Sequence, residues 1–185
     1  ALNWVDPYLV DTLQLKRNEL CAEVSWLFKN TKPFYNGISK GCQICGEGKW
    51  SCLFITNKCN AKCFYCPTSQ DEDSIPGTQN LTFETPEDYA EYINYFDFKG
   101  VGISGGEPFL YFDKTLAYIK ALRNLCSPEL YIWIYTNGIL VNELKLKQLA
   151  DCGLNEIRFD IGATNYNISK LKTAGRFIEH VTVEI

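Results

Sequence analysis

The chain has 185 residues, of which 46% are hydrophobic, and a formal net charge of −4 at pH 7. This size suits one packed core with a small appendage. The acidic balance argues against broad capture of nucleic acid, and the longest apolar runs are shorter than the roughly 20 residues of a membrane helix. Nine cysteines with no secretory signal favour a reducing compartment. We therefore predict a soluble, cytoplasmic protein with no membrane or nucleic-acid partner.

The first 50 residues are predicted to form a separate N-terminal segment. A helical stretch opens at Asp6-Pro7, and a glycine-rich loop follows that carries the C-x2-C pair Cys42 and Cys45, with Cys52 seven residues further on. Cysteine pairs at this spacing are common zinc ligands. Two alternatives stay open for them, a second metal (zinc or an auxiliary iron–sulfur cluster) or free thiols that pack a tight turn.

From residue 51 to residue 185 the sequence alternates between strand and helix patterns. The predicted strands are 52–56, 100–104, 131–135, 156–161 and 181–185. The helices between them are predicted to be capped by Thr85, Asp113 and Asn142. Such alternation is typical of parallel βαβ units. We predict an α/β fold, a partial (βα) barrel of parallel strands that stops after the fifth strand, with the helical, cysteine-containing segment before it.

Three cysteines follow the first of these strands with the spacing CxxxCxxC, at Cys59, Cys63 and Cys66. Because an electron-transfer 4Fe–4S cluster normally has four cysteine ligands, three cysteines leave one iron open to another ligand. A zinc knuckle, part of a ferredoxin site and buried free thiols are the alternatives. The second strand is followed by Gly-Gly-Glu-Pro at 105–108, and paired glycines allow a close backbone approach to a ligand.

CxxxCxxC followed by Gly-Gly-Glu-Pro resembles the signature of the radical S-adenosylmethionine (SAM) superfamily, and within it members similar to the pyruvate formate-lyase activating enzyme. The resemblance implies a 4Fe–4S cluster and SAM as cofactors. It also implies reductive cleavage of SAM that starts hydrogen abstraction from a substrate, with an external electron donor of the flavodoxin or ferredoxin type. The open rim of a partial barrel would suit a macromolecular substrate, although the sequence does not select one.

The resemblance also assigns residues to SAM. They are Tyr65, Gly105, Gly106, Glu107, Pro108, Asn137, Arg158 and Asp160. The glycine motif corresponds to the segment that holds the SAM amino group, Tyr65 to the position near the adenine, and Asn137 to an amide that contacts polar groups of SAM. Asp160 corresponds to a contact with the ribose or the carboxylate of SAM. Arg158 lies on the same side of its strand as Asp160, so it can pair with Asp160 or with the SAM carboxylate.

No catalytic residue is assigned beyond the three cluster ligands. The acidic run Asp71–Ser74 is predicted to be a solvated loop, and the alternative is a loop that gates the open face of the cluster site. The alternative function is a noncatalytic iron–sulfur protein for electron transfer, or a zinc-binding scaffold. The chain contains no methionine and ends within its fifth strand, whereas superfamily cores have about six βα units, so we expect a longer parent protein.

Overall fold

The computed structural model describes residues 7–67 and 69–184. The chain divides into two compact units, Ala1–Glu47 and Gly48–Ile185. The first unit contains helix α1 (Pro7–Ala22), an antiparallel pair of strands and helix α2 (Lys40–Gly46). Its strands are β1 (Ser25–Leu27) and β2 (Lys32–Phe34). The predicted helix opening at Asp6 lies outside the described residues, but α1 covers the stretch that follows it.

Cys42 and Cys45 lie on helix α2, and the prediction that this pair sits in a glycine-rich loop is therefore wrong. The helix begins after Ser39, whose side chain accepts a hydrogen bond from the Cys42 backbone N–H at 3.2 Å. A serine in this position satisfies one of the backbone donors at the helix start, and this overcomes the weak helix preference of the glycines.

The second unit is built on one seven-stranded sheet. Its strands are β3 (Trp50–Phe54), β4 (Gly77–Thr78), β5 (Leu81–Thr82), β6 (Gly100–Ser104), β7 (Tyr131–Thr136), β8 (Glu156–Asp160) and β9 (His180–Glu184). The strand order is β5-β4-β3-β6-β7-β8-β9. Strands β3, β6, β7, β8 and β9 lie side by side in this order and are parallel. At the edge of the sheet, β4 pairs antiparallel with β3 and with β5. The predicted α/β fold with five parallel strands is confirmed, and the last predicted strand residue, Ile185, lies outside the described residues.

Helices connect the parallel strands and cover one face of the sheet. They are α3 (Pro86–Tyr95), α4 (Phe112–Leu125), α5 (Glu143–Asp151) and α6 (Ser169–Ala174). Thr85 caps α3 in a capping box with Asp88, and Asn142 caps α5, as predicted. The prediction that Asp113 caps α4 is wrong: a 3-10 turn at Pro108–Tyr111 runs directly into this helix, and Asp113 falls in its first turn.

The helix-covered face of the sheet holds the apolar core. Alternate residues of the central strands, such as Ile103, Ile132 and Ile134, are fully buried in one cluster with Ile119 and Leu122 of α4. Alternation along a strand places the intervening residues on the opposite face.

None of the helices in the described part of the chain combines the length and the apolar character of a membrane span.

The opposite face of β7–β9 carries a buried polar network, formed by Tyr131, Glu156, Arg158 and Thr182. Arg158 Nε donates to Glu156 Oε1 at 2.9 Å, and Glu156 also accepts hydrogen bonds from Thr182 at 2.7 Å and Tyr131 at 3.2 Å. Glu156 is fully buried and Arg158 is 4% exposed. The Arg158 guanidinium also lies 5.3 Å from the ring centre of Trp133, so the charged pair is both bonded and packed.

Candidate active site

The three cysteines of CxxxCxxC line a single pocket of about 220 Å³ at the carboxyl end of the parallel strands. They belong to the cysteine loop (residues 57–67), which leaves the sheet after β3. Within the loop the Cys66 N–H donates to the Cys63 carbonyl at 3.2 Å, and the Ala61 N–H donates to Cys59 Sγ at 3.4 Å. Burial raises the pKa of Cys59, while the bond from Ala61 opposes that rise.

Gly105 and Gly106 also line this pocket, and their lack of side chains is required by the packing beneath them. A Cβ on Gly106 would overlap the Lys58 carbonyl oxygen, and a Cβ on Gly105, whose φ is +124°, would overlap the Thr56 carbonyl oxygen. The Gly106 N–H donates to that Thr56 oxygen at 2.6 Å. The glycine pair therefore lets its loop lie directly on the base of the cysteine loop.

Glu107 joins the loop after β6 to the loop after β7. Its carboxylate is fully buried and accepts three hydrogen bonds, from the Phe109 N–H at 3.0 Å, the Thr136 hydroxyl at 2.8 Å and the Asn137 N–H at 2.8 Å. Burial raises the pKa of Glu107, and the three hydrogen bonds act against that rise. Pro108, next in the motif, is buried and begins the 3-10 turn. The structure thus places Glu107 as a link between two loops of the pocket.

Asn137 reaches from the loop after β7 to the cysteine loop. Asn137 is 7% exposed, and its Nδ2 donates to Asn60 Oδ1 at 2.7 Å and to Cys59 Sγ at 3.7 Å. Its Oδ1 accepts the Ile139 N–H at 2.9 Å. Asn137 lines the pocket, where a SAM contact was predicted, and its amide also organises the loop that carries the thiols.

Tyr65 and Asp160 meet across the pocket. The Tyr65 hydroxyl donates to Asp160 at 3.0 Å, and Asp160 also accepts the Gly162 N–H at 3.0 Å. Hydrogen bonds to Cys63 and Asp160 raise the pKa of Tyr65. Glu184 lies opposite Asp160 in the strand register and lines the same pocket. Among the described residues that line the pocket there is no lysine or arginine, so its charge suits a cationic ligand.

Arg158 was predicted to pair with Asp160 or with SAM. The structure pairs it with Glu156, the other acidic residue two positions away on the same side of β8. Its NH1 also donates to the Tyr135 hydroxyl at 3.2 Å, and Tyr135 lines the pocket. Glu156 was not among its predicted partners. The guanidinium lies 5.3 Å from the ring centres of both Trp133 and Tyr135.

The predicted second metal at Cys42 and Cys45 is not tested by the structure. Both thiols are partly buried on α2, one turn apart. Within residues 7–67 and 69–184, no three His, Cys, Asp or Glu side chains surround one ion position. The second metal stays a prediction.

Asp73 is a residue whose role the sequence did not indicate. Its carboxylate accepts hydrogen bonds from Tyr111 at 2.6 Å, from Thr56 at 2.8 Å and from the Ser74 N–H at 2.9 Å. The predicted solvated loop is exposed at Asp71–Asp73. Asp73 bonds this loop to Thr56, just after β3, and to Tyr111 in the 3-10 turn. The hydrogen bonds from Tyr111 and Thr56 hold the pKa of Asp73 below its ordinary value.

We expect Asp73→Asn to lower the free energy of unfolding at pH 7 by about 1 kcal/mol, a value that allows for solvent exposure. A carboxyl group whose pKa is lowered on folding stabilises the protein above its unfolded pKa, about 3.9 for aspartate, and that contribution is lost as the pH falls through the lower folded pKa. Urea unfolding of Asp73→Asn and of the original protein, at pH 7 and at a pH below the folded pKa of Asp73, measures the difference in the free energy of unfolding. Glu72→Gln, at an exposed position of the same loop, is the control. A difference for Asp73→Asn that does not shrink in acid would contradict the assignment.

A sequence model of the radical SAM superfamily matches residues 53–181. The chain belongs to the radical SAM superfamily. A protein of Methanocaldococcus jannaschii with the provisional name glycyl-radical enzyme activating enzyme is 34% identical over 164 residues, which are 82% of this chain and 43% of that protein. A GTP 3′,8-cyclase of Aquifex aeolicus is 26% identical over 119 residues, 61% of this chain and 35% of that enzyme. The chain thus spans less than half the length of these curated relatives.

Solved structures show the same fold for this superfamily member. Streptococcus suis SuiB, bound to its precursor peptide SuiA, superposes with a TM-score of 0.55 at 13% identity, over 95% of this chain and 44% of SuiB. BtrN in complex with AdoMet and 2-DOIA superposes with a TM-score of 0.52 at 19% identity, over 72% of this chain and 56% of BtrN. The predicted family and its α/β partial barrel are confirmed.

Proposed function

We propose that Cys59, Cys63 and Cys66 bind a 4Fe–4S cluster and that the protein is an enzyme that cleaves SAM reductively to begin hydrogen abstraction from its substrate. The observation that carries this proposal is that the three thiols line one pocket together with Gly105 and Gly106. Thiolates are the ligands that iron–sulfur clusters take, and three of them leave one iron open to another ligand. The donor set therefore fits the cofactor that the family implies.

The residues around the thiols have separate tasks in this proposal. When bound, the cluster and SAM supply the one-electron chemistry, and the protein supplies binding, orientation and electrostatics. Asp160 and Glu184 give the pocket a negative charge that suits the sulfonium and ammonium groups of SAM. Asn137 and Glu107 hold the loops after β6 and β7 against the cysteine loop, so the walls of the pocket keep a fixed geometry.

We propose a protein substrate of the glycyl-radical enzyme class. Support comes from the archaeal relative, which matches 82% of this chain at 34% identity and whose name assigns it to activating enzymes. The GTP cyclase of Aquifex aeolicus matches a smaller share, 61%, at 26% identity. An external electron donor of the flavodoxin or ferredoxin type belongs to the same proposal.

Reductive SAM cleavage is the test. The protein is reconstituted with iron and sulfide without oxygen, reduced with dithionite and given SAM, and 5′-deoxyadenosine and methionine are measured by mass spectrometry. We expect both products in equal amounts, formed only with reductant. A cluster whose spectrum ignores SAM would instead show a noncatalytic electron carrier, and tightly bound zinc at the three thiols would show a scaffold. Faster cleavage on addition of GTP would favour cyclase chemistry over a protein substrate.

A further inference from the structure

Gln70 is bonded to the backbone of the first two of the three cysteines, although it lies four residues beyond the last of them. Its carbonyl oxygen accepts the Cys59 N–H at 2.8 Å, and its side-chain Nε2 donates to the Cys63 carbonyl at 3.0 Å. The same Cys63 oxygen accepts the Cys66 N–H at 3.2 Å. One residue outside CxxxCxxC thus bonds to the backbone of Cys59 and Cys63, and it shares the Cys63 carbonyl as an acceptor with Cys66.

The surroundings of Gln70 indicate that these bonds determine its position. It is 8% exposed, whereas its neighbours Ser69 and Asp71 are exposed. Its φ is +65°, in the left-handed region that glutamine rarely adopts and that persists where the surrounding structure enforces it. Gln70 also lines the pocket that the three cysteines line. A simple surface turn does not require a buried glutamine with a left-handed backbone conformation beside the three cysteines.

We propose that Gln70 is a positioning residue that holds the cysteine loop in the arrangement needed to bind and retain its cluster. This inference rests on the proposed function, because it assigns the role toward a cluster bound by Cys59, Cys63 and Cys66. Partners that orient metal ligands without touching the metal are part of a metal site, and their loss typically lowers metal affinity 10- to 100-fold. Gln70 is such a partner, acting through the backbone of the ligand residues.

Two substitutions separate positioning from general stability. Gln70→Gly keeps the carbonyl that accepts the Cys59 N–H, removes the side-chain amide and adopts the left-handed conformation without strain. Because the strain that is relieved offsets the side-chain hydrogen bond that is lost, the metal-free protein should be about as stable as the original. Gln70→Glu keeps the size of the side chain but sets a carboxylate against the Cys63 carbonyl. Gln79 is the matched control, a glutamine with φ +50° that is exposed in the turn between β4 and β5.

The experiment measures the melting temperature of the metal-free protein, the rate at which a chelator removes iron from the reconstituted protein, and the electron paramagnetic resonance spectrum of the reduced cluster before and after SAM is added. We expect both Gln70 variants to release iron roughly tenfold faster than the original protein, with an altered response of the spectrum to SAM. Gln70→Gly should do so without a lower melting temperature. Gln79→Gly and Gln79→Glu should release iron at the original rate.

Iron release by Gln70→Gly at the original rate would overturn the inference, as would faster release that only follows a lowered melting temperature. If the original protein takes up a cluster and cleaves SAM while the Gln70 variants behave identically, only this inference fails. If the original protein takes up no iron, the proposed function fails and this inference fails with it.

Discussion

Replacing Cys63 with alanine is expected to abolish retention of the cluster and, with it, formation of 5′-deoxyadenosine. Cys63 lines the pocket beside Cys59 and Cys66, and its carbonyl also joins the loop to Gln70. Since the proposed site has three thiolates, loss of one leaves two irons without a protein ligand. Iron and sulfide per chain after reconstitution, together with the yield of 5′-deoxyadenosine, measure the effect. Alanine at Cys59 or Cys66 should give the same result.

Cys126 and Cys152 supply the matched controls for this experiment. They follow α4 and α5 directly and are partly buried, as the three pocket thiols are. Alanine at either position should leave the iron content and the product yield unchanged. If Cys63→Ala retained its iron in full, the cluster could not be bound by the three cysteines of this pocket. Iron lost equally from Cys152→Ala would show that the loss reflects general unfolding, which melting temperatures would reveal.

Gly106→Ala is expected to lower the free energy of unfolding by roughly 3 kcal/mol, the upper part of the usual range for overpacking. The added methyl group would overlap backbone atoms of Lys58 and Asn57, which cannot turn aside as a flexible side chain can. To make room, the loop after β6 must move off the cysteine loop, and the bond from Gly106 to Thr56 is then lost. Urea unfolding of the metal-free protein measures the change.

Gly175→Ala is the control for this substitution. Gly175 has φ −62° at the end of α6, and the nearest atom to an added Cβ lies 3.7 Å away. Alanine there should change the free energy of unfolding by less than about 0.5 kcal/mol, or raise it slightly by restricting the unfolded chain. Equal urea midpoints for Gly106→Ala and the original protein would show that the two loops do not pack as described.

The parallel sheet could be predicted because local signals agree with the global fold. Strands β3, β6 and β7 are short, mostly apolar runs followed by polar loops, and Thr85 and Asn142 mark helix starts with side chains that cap them. The order of CxxxCxxC and Gly-Gly-Glu-Pro placed both motifs at the carboxyl ends of neighbouring strands, where parallel sheets gather their sites. Periodicity and caps are properties of adjacent residues, and a single sequence displays them directly.

Other features depend on contacts between distant parts of the chain. Strands β4 and β5 have two residues each, too few for any alternation to be visible. Glu107 turns inward because three donors converge on it, one from the last residue of β7, one from the loop after β7 and one from the 3-10 turn. Gln70 and Asp73 lie in a polar stretch whose composition resembles that of any surface loop. Their roles arise from partners that only the folded chain brings near.

The buried polar network on β7–β9 constrains how this part of the protein can change over generations. Removing Glu156 alone would strand the Arg158 charge in the interior, and removing Arg158 alone would strand the Glu156 carboxylate. A joint exchange of both for apolar residues avoids either penalty. Substitution at one position is therefore tolerated only together with substitution at the other, and natural drift at these two positions of β8 should proceed in paired steps.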